Sequence, residues 1–290
     1  MISRTEAAVA ALAALPDVPE AVERARQACT ELRWHEGLRR RIPQAAAESR
    51  VRGATASALL EGAEPAGSEG SVDLVRDLMR GAVPWSSRPE DPVWLALGGA
   101  VRATAATEGV GPAQLAAPAQ LIAALHTAAT AGMLPEHQVG RPRSAGEGTT
   151  GEEVLGAAPD AGEAFERLQL VHELLRGLTS GRVPGVVVAA VCHAEIAVAR
   201  PFVAGNGVVA RALERVVIRV SGVDPTGVAV TESGHTDRGG TDYRGALAAY
   251  AGGGSAGVRL WVLHCAEGLE RAAAHGQQVA GAVRRGALSG

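Results

Sequence analysis

Apolar residues recur at three- and four-residue spacing along most of the chain, and two-residue alternation is sustained nowhere. That pattern predicts an all-α protein. Residues 4–32 carry helical periodicity broken by Pro16-Asp17-Val18-Pro19, which predicts two helices. A basic stretch after Trp34, with Arg39-Arg40-Arg41, reads as a solvated face. An Ala/Leu helix then stops at Gly62 before a Gly/Pro/Ser turn. Two further helices are expected over 71–83 and 89–109, separated at Pro84-Trp85-Ser86-Ser87. The Gly109-Val110-Gly111-Pro112 break suggests a division into an N-terminal helical region, 1–111, and a core, 112–290. A helix is expected from 112 to 133 in spite of Pro118. Residues 134–160 lose all periodicity, and so long a segment in a compact domain is functional or disordered. Periodicity returns over 162–180, 184–199, 206–221 and 257–284, with a polar, irregular stretch at 222–240.

Composition narrows the chemistry more than the fold. The chain has 290 residues, 47% hydrophobic, which is ample for a sizeable core. Aromatics are only 3%, so the core must be packed from Ala, Leu and Val. All 28 basic residues are arginine, which removes lysine as nucleophile, Schiff base or phosphate ligand. A net charge of -3 gives no footprint for nucleic acid. Cys29, Cys192 and Cys265 share no metal-like spacing, and a reducing cytoplasm is the expected setting. The AAVAALAAL run near the start reads as a helix of the mature chain rather than a leader. No run has the length and uniformity of a membrane span.

The most informative stretch is 186–215, a nearly all-apolar helix, a short loop and a second helix starting near Asn206. Its centre reads Pro201-Phe202-Val203-Ala204-Gly205-Asn206-Gly207-Val208-Val209-Ala210-Arg211. This resembles the signature of the Fic (Fido) family, H-P-F-x-[D/E]-G-N-G-R-x-x-R, in a degenerate form. The resemblance implies a helical core with an N-terminal extension and an irregular flap. It also implies ancestry in AMP transfer from ATP to protein hydroxyls. Arg200 stands where the family has its general-base histidine, Ala204 where it has a metal-anchoring acid, and Val208 where it has a first arginine. A guanidinium has no lone pair to take a proton, and a missing base costs on the order of 10²–10⁴ in rate. Ala204 offers no oxygen to a hard cation, so Mg²⁺ is not expected, while ATP stays open as a ligand. What the resemblance keeps is an anion site: Gly205, Asn206 and Gly207 at a helix N-terminus, with Arg211 matching the second motif arginine.

A second match lies upstream. Ser57-Ala58-Leu59-Leu60-Glu61-Gly62 fits the family's inhibitory pattern, [S/T]-x-x-x-E-[G/N]. The resemblance implies that Ser57, Glu61 and Gly62 form an inhibitory helix end, and that Glu61 pairs with Arg211. Gly140-Arg141-Pro142-Arg143 falls where the family places a target-binding flap, and Tyr243 and Tyr250 fall near its nucleotide base, although packing accounts for both. His193 lies seven residues before Arg200, where family members often carry a helix histidine; the other seven histidines show no paired ligand spacing, and His235 with Asp237 and Asp242 reads as a polar solvated loop rather than a metal site. Three functions stay open: a degenerate member that binds a nucleotide or anion or regulates a protein target, a transferase with altered chemistry, and a non-catalytic helical interaction protein. The oligomeric state is open as well.

Overall fold

Between Val186 and Ala199 every side chain is buried, so the helix that carries them has no solvent face. The rest of the fold wraps it. The protein is described here by a computed structural model covering residues 3–63, 71–84, 91–178, 181 and 183–288. These residues hold thirteen α-helices, in order α1 Arg4–Ala13, α2 Val18–Arg33, α3 Ile42–Leu60, α4 Ser71–Arg80, α5 Pro92–Ala106, α6 Pro112–Leu115 and α7 Pro118–Thr130. They continue with α8 Glu152–Leu155, α9 Ala161–Leu178, α10 Gly185–Ala199, α11 Asn206–Val220, α12 Asp237–Ala251 and α13 Gly254–Arg285. Among the described residues there is no strand, and none of the helices is long and apolar enough to cross a membrane.

Local chemistry sets several boundaries. Ser3 and Glu6 form a reciprocal capping box that starts α1. Asp91 accepts from Val93 N at 2.9 Å and Pro92 occupies the first turn, fixing the start of α5. The single helix expected from 112 to 133 is divided in two. Pro118 lacks the N–H that a continuous helix needs, and it opens α7 instead of being absorbed.

Of the expectations about loops, one narrows from functional or disordered to ordered, and the other is overturned. Residues 134–160 are laid down along the motif loop by the hydrogen bonds described below. The stretch 222–240 is not a solvated loop: Val228, Ala229, Val230, Thr231, Glu232 and His235 are buried. The expected turns around 62–71 and 84–87 fall mostly on residues 64–70 and 85–90, outside the described residues.

α10 packs on α9 and α11 and also meets α12 and α13. Apolar residues from both sides of the 111/112 break fill one main core, from Val9 and Val18 through Leu125 and Val187 to Trp261 and Val279. A satellite cluster of Val51, Ala54, Val75, Leu78, Trp94 and Leu97 joins α3 to α4 and α5. α3 therefore has one face on each cluster, and its C-terminal end is delivered to the start of α11.

Candidate anion site at the start of helix α11

α10 ends at Arg200 in the left-handed conformation, φ 49°. This costs a residue with a Cβ roughly 1–2 kcal/mol, and the surroundings hold it there. The side chain is buried and Nη2 donates to Gly156 O at 2.8 Å. Arg143 Nε donates to the Arg200 carbonyl at 2.9 Å, and Arg143 N to Pro201 O at 2.8 Å. Thr149 Oγ1 donates to Phe202 O at 2.7 Å, and Thr150 N to Val203 O at 3.1 Å. The flap thus runs beside the motif loop residue by residue.

Asn206 folds back inside the loop. Its Oδ1 accepts from Phe202 N at 3.0 Å and its Nδ2 donates to Phe202 O at 2.9 Å. The amide is spent on loop shape, which leaves only the Asn206 backbone, in the first turn of α11, to meet a ligand. Gly205 takes φ 77°, and a Cβ there would meet Thr130 Cγ2 at 2.8 Å. No side chain caps α11, which leaves its first N–H groups and dipole facing the pocket.

Glu61 occupies that place. A Cβ on Gly207 would lie 2.5 Å from Glu61 Oε1 and 3.2 Å from Arg211 Nη1, so the carboxylate rests on the bare backbone of the first turn of α11. Arg211 is buried, and its Nη2 donates to Glu61 Oε1 at 2.6 Å. Arg211 also donates from Nε to Ser57 Oγ at 3.0 Å and from Nη2 to Ser57 O at 3.2 Å. Burial works against the Arg211 charge, but Glu61 and Tyr243 more than offset it and hold its pKa above the ordinary arginine value. Gly62 follows in the left-handed region, φ 74°, and ends α3. A cavity of about 330 Å³ opens beside these groups, lined by Arg200, Arg211 and Arg244, by Glu61 and Glu153, and by Tyr243. Ala204 and Val208 are buried apolar side chains.

Residues 116–218 match the family model described as Fic/DOC family. The chain carries a Fic/DOC segment. A Fic family protein from Desulfovibrio desulfuricans G20 has a similar structure, with a TM-score of 0.66 and 22% identity over 88% of this chain and 73% of that one. Fic-1 from C. elegans gives 0.62 and 17% over 92% of this chain and 73% of that one. At these identities the likeness is one of fold. No curated protein matches the chain by sequence.

Within this Fic fold the structure brings together Ser57, Glu61, Gly205, Gly207 and Arg211, and it places Arg200 on the rim of the same pocket. Two groups escaped the sequence reading. His126, on α7, stacks on Phe202 with ring centroids 4.0 Å apart. Its Nδ1 accepts from Gly140 N at 2.9 Å, and its Nε2 donates to Ala204 O at 3.2 Å. It therefore ties the flap to the motif loop. The second group surrounds His235. It is buried rather than solvated, with Nε2 2.8 Å from Glu214 Oε2, and His193 Nδ1 lies 2.6 Å from the same oxygen. No local motif marks either group: His126 reaches partners 14 and 78 residues away, and His193, Glu214 and His235 follow one another at 21-residue intervals. Tyr243 is more than packing: its hydroxyl lies 2.9 Å from His193 Nε2 and accepts from Arg211 Nη1 at 3.4 Å. Burial pushes its pKa up to about 12.

Proposed function

We propose that this chain is a Fic protein that has kept the family's phosphate-shaped loop and inhibitory contact and has given up AMP transfer, so that it binds a nucleotide or related anion in a regulatory role. The contact that carries the reading is Glu61 seated on Gly207 and bonded to Arg211 at 2.6 Å. A carboxylate there takes the place a terminal phosphate would take, bonded to one arginine N–H and set against a helix N-terminus.

The chemistry around it supports loss of transfer. Arg200, at the family's base position, is a permanent cation whose side chain and carbonyl hold the flap. Ala204 brings no oxygen for a metal, and Val208 no charge for a phosphate. Arg200, Arg211 and Arg244 against Glu61 and Glu153 leave the pocket with one net positive charge, which suits an anion. Releasing Glu61 would raise that charge further.

The test is ATP binding by calorimetry to the wild type and to Glu61→Gly, alongside label transfer from α-labelled ATP to self and to lysate proteins. Weak or absent binding in the wild type, a gain of tenfold or more in Glu61→Gly, and no transfer from either are expected. Transfer by the wild type would overturn the loss of activity. No binding by Glu61→Gly would overturn the anion site and leave a helical interaction protein.

A further inference from the structure

Behind the anion pocket, on the far side of Tyr243, three donors from three elements converge. His193 Nδ1 comes from α10, Glu214 Oε2 from α11, and His235 Nε2 from the turn Thr231–His235. All three residues are buried, and their donor atoms lie within 4.8 Å of one another. We propose that His193, Glu214 and His235 form a structural site for a borderline divalent transition ion, with Zn²⁺ the best match.

α11 presents Arg211, Glu214 and Arg215 within five residues. Arg211 has Glu61 as its partner, and Arg215 has Glu232. Glu214 pairs with two imidazoles. With each of these arginines matched by its own glutamate, the buried Glu214 carboxylate is left to two imidazoles, and a divalent cation compensates its charge.

The groups around the two histidines point the same way. A histidine that binds a metal through one ring nitrogen commonly donates its other N–H to a polar partner, which fixes the ring. Both histidines have that partner in place: Tyr243 Oη lies 2.9 Å from His193 Nε2, and His264 Nε2 lies 3.1 Å from His235 Nδ1. Trp261 fixes the rings from behind, edge-on to His193 at 5.1 Å and parallel to His235 at 6.2 Å.

The donors sit 2.6 and 2.8 Å apart, as N–H groups bonded to the carboxylate. Tetrahedral coordination at about 2.0–2.2 Å needs donors about 3.3 Å apart, a widening of about 0.5–0.7 Å. Each ring then shifts its proton to the outer nitrogen, where the partners wait, and no proton is lost from the pair of rings. Two imidazoles and one carboxylate suit zinc and its neighbours; magnesium and calcium need more oxygens. The fourth position falls to Glu214 Oε1 or a water. Such an ion would staple α10, α11 and the 231–235 turn together directly behind Tyr243 and Arg211.

The test uses untagged full-length protein, purified without chelator. Elemental analysis should find about one zinc per chain. Stripping with a chelator should lower Tm by ~5 °C or more, with recovery on adding Zn²⁺. Cobalt added to the stripped protein should give the intense visible absorption of a four-coordinate ion without a thiolate charge-transfer band. Glu214→Gln and His235→Gln should each lower cobalt affinity at least tenfold; if they do not fold, X-ray absorption on the zinc-loaded wild type should show a nitrogen- and oxygen-only shell with two imidazoles. A folded, metal-free wild type indifferent to zinc and chelator would overturn the site and leave a hydrogen-bonded polar core. A thiolate band would overturn the ligand set in favour of nearby Cys265.

Discussion

Two glutamates pair with arginines four residues apart on α11, and their environments differ enough to set a ranking. Arg215 donates to Glu232 through Nε at 2.8 Å and Nη2 at 2.6 Å, with side chains 4% and 0% exposed. Arg211 makes a single bond of 2.6 Å to Glu61, whose side chain is 31% exposed. Substituting glutamine at either position keeps the shape and strands a buried guanidinium. For the enclosed pair this costs about 3–5 kcal/mol. At Glu61 water reaches the gap, and Ser57 O and Oγ still accept from the arginine. The cost there falls to about 1–2 kcal/mol. Urea unfolding followed by circular dichroism reads both. The two variants should also respond oppositely to tripolyphosphate, which at ten times its Kd adds about 1.4 kcal/mol to a protein that binds it when folded. Glu61→Gln should gain that stability, and Glu232→Gln should gain no more than the wild type. If Glu61→Gln loses as much as Glu232→Gln, the Glu61 contact is a structural rivet rather than an occupant of an anion site. If it gains nothing from tripolyphosphate, the electrostatic reading of the α11 N-terminus is wrong.

Other outcomes follow from the same geometry. Burial lowers the His126 pKa to about 4, against 6.5 unfolded, so the native state binds fewer protons between those values. Its contribution is complete above pH 6.5 and is lost as pH falls to 4, up to about 3 kcal/mol in all. The difference in urea midpoint between wild type and His126→Gln should therefore shrink across that window, and a difference flat with pH would refute the assignment. Gly207→Ala should destabilise the wild type by about 1 kcal/mol through its clash with Glu61, and should become neutral or stabilising in Glu61→Gly, where helix propensity outweighs the remaining approach to Arg211 Nη1; equal effects in both backgrounds would place Glu61 elsewhere. Cys29, Cys192 and Cys265 are buried thiols with their pKa pushed up by burial, so a thiol reagent should label native protein only as fast as it unfolds. Hydrogen exchange should be faster for amides 58–62 than for 49–56, and uniform protection along α3 would contradict the clamping argued below.

The helices were legible because their apolar periodicity is local, and so was the motif, because a Gly-Asn-Gly turn between two helices is written in consecutive residues. Pro118 was legible as a residue and misread as a tolerated interruption, when its missing N–H starts a new helix. The contact between Glu61 and Arg211 spans 150 residues and came within reach only through the family pattern. His126 had no such pattern. Its importance comes from two backbone groups, Gly140 N and Ala204 O, and backbone partners leave no mark in a sequence. The stretch 222–240 looked solvated because it holds Asp, Thr, Glu and His. Those polar groups are bonded inward instead: Asp224 accepts from Ala229 N at 2.8 Å, and Glu232 from Arg215. Polarity signals exposure only where no buried partner exists, and here the partners lie within the stretch itself and on α3 and α11.

The two arginine contacts also determine what part of α3 can move. Arg215 bonds to Ser49 through Oγ at 3.1 Å and O at 3.4 Å, and Ser49 Oγ donates to Ala229 O at 3.1 Å. Gly53 makes the approach feasible, since a Cβ there would lie 2.5 Å from Arg215 Nη2. The middle of α3 is thus clamped to the core and shared with the satellite cluster on its other face. Undocking the helix would break the buried Arg215–Glu232 pair and expose apolar surface from both clusters, a cost comparable to the whole stability of a domain, about 5–15 kcal/mol. Glu61 is held differently. It is the residue that caps α3, with its N–H bonded to Ser57 O at 3.3 Å and Ala58 O at 3.1 Å, and Leu59 and Leu60 beside it are not buried. Unwinding that last turn breaks a few hydrogen bonds and the Arg211 contact, and exposes little. A ligand that displaces Glu61 therefore has to melt only one turn, so the same helix serves as a fixed wall along most of its length and as a release element at its end.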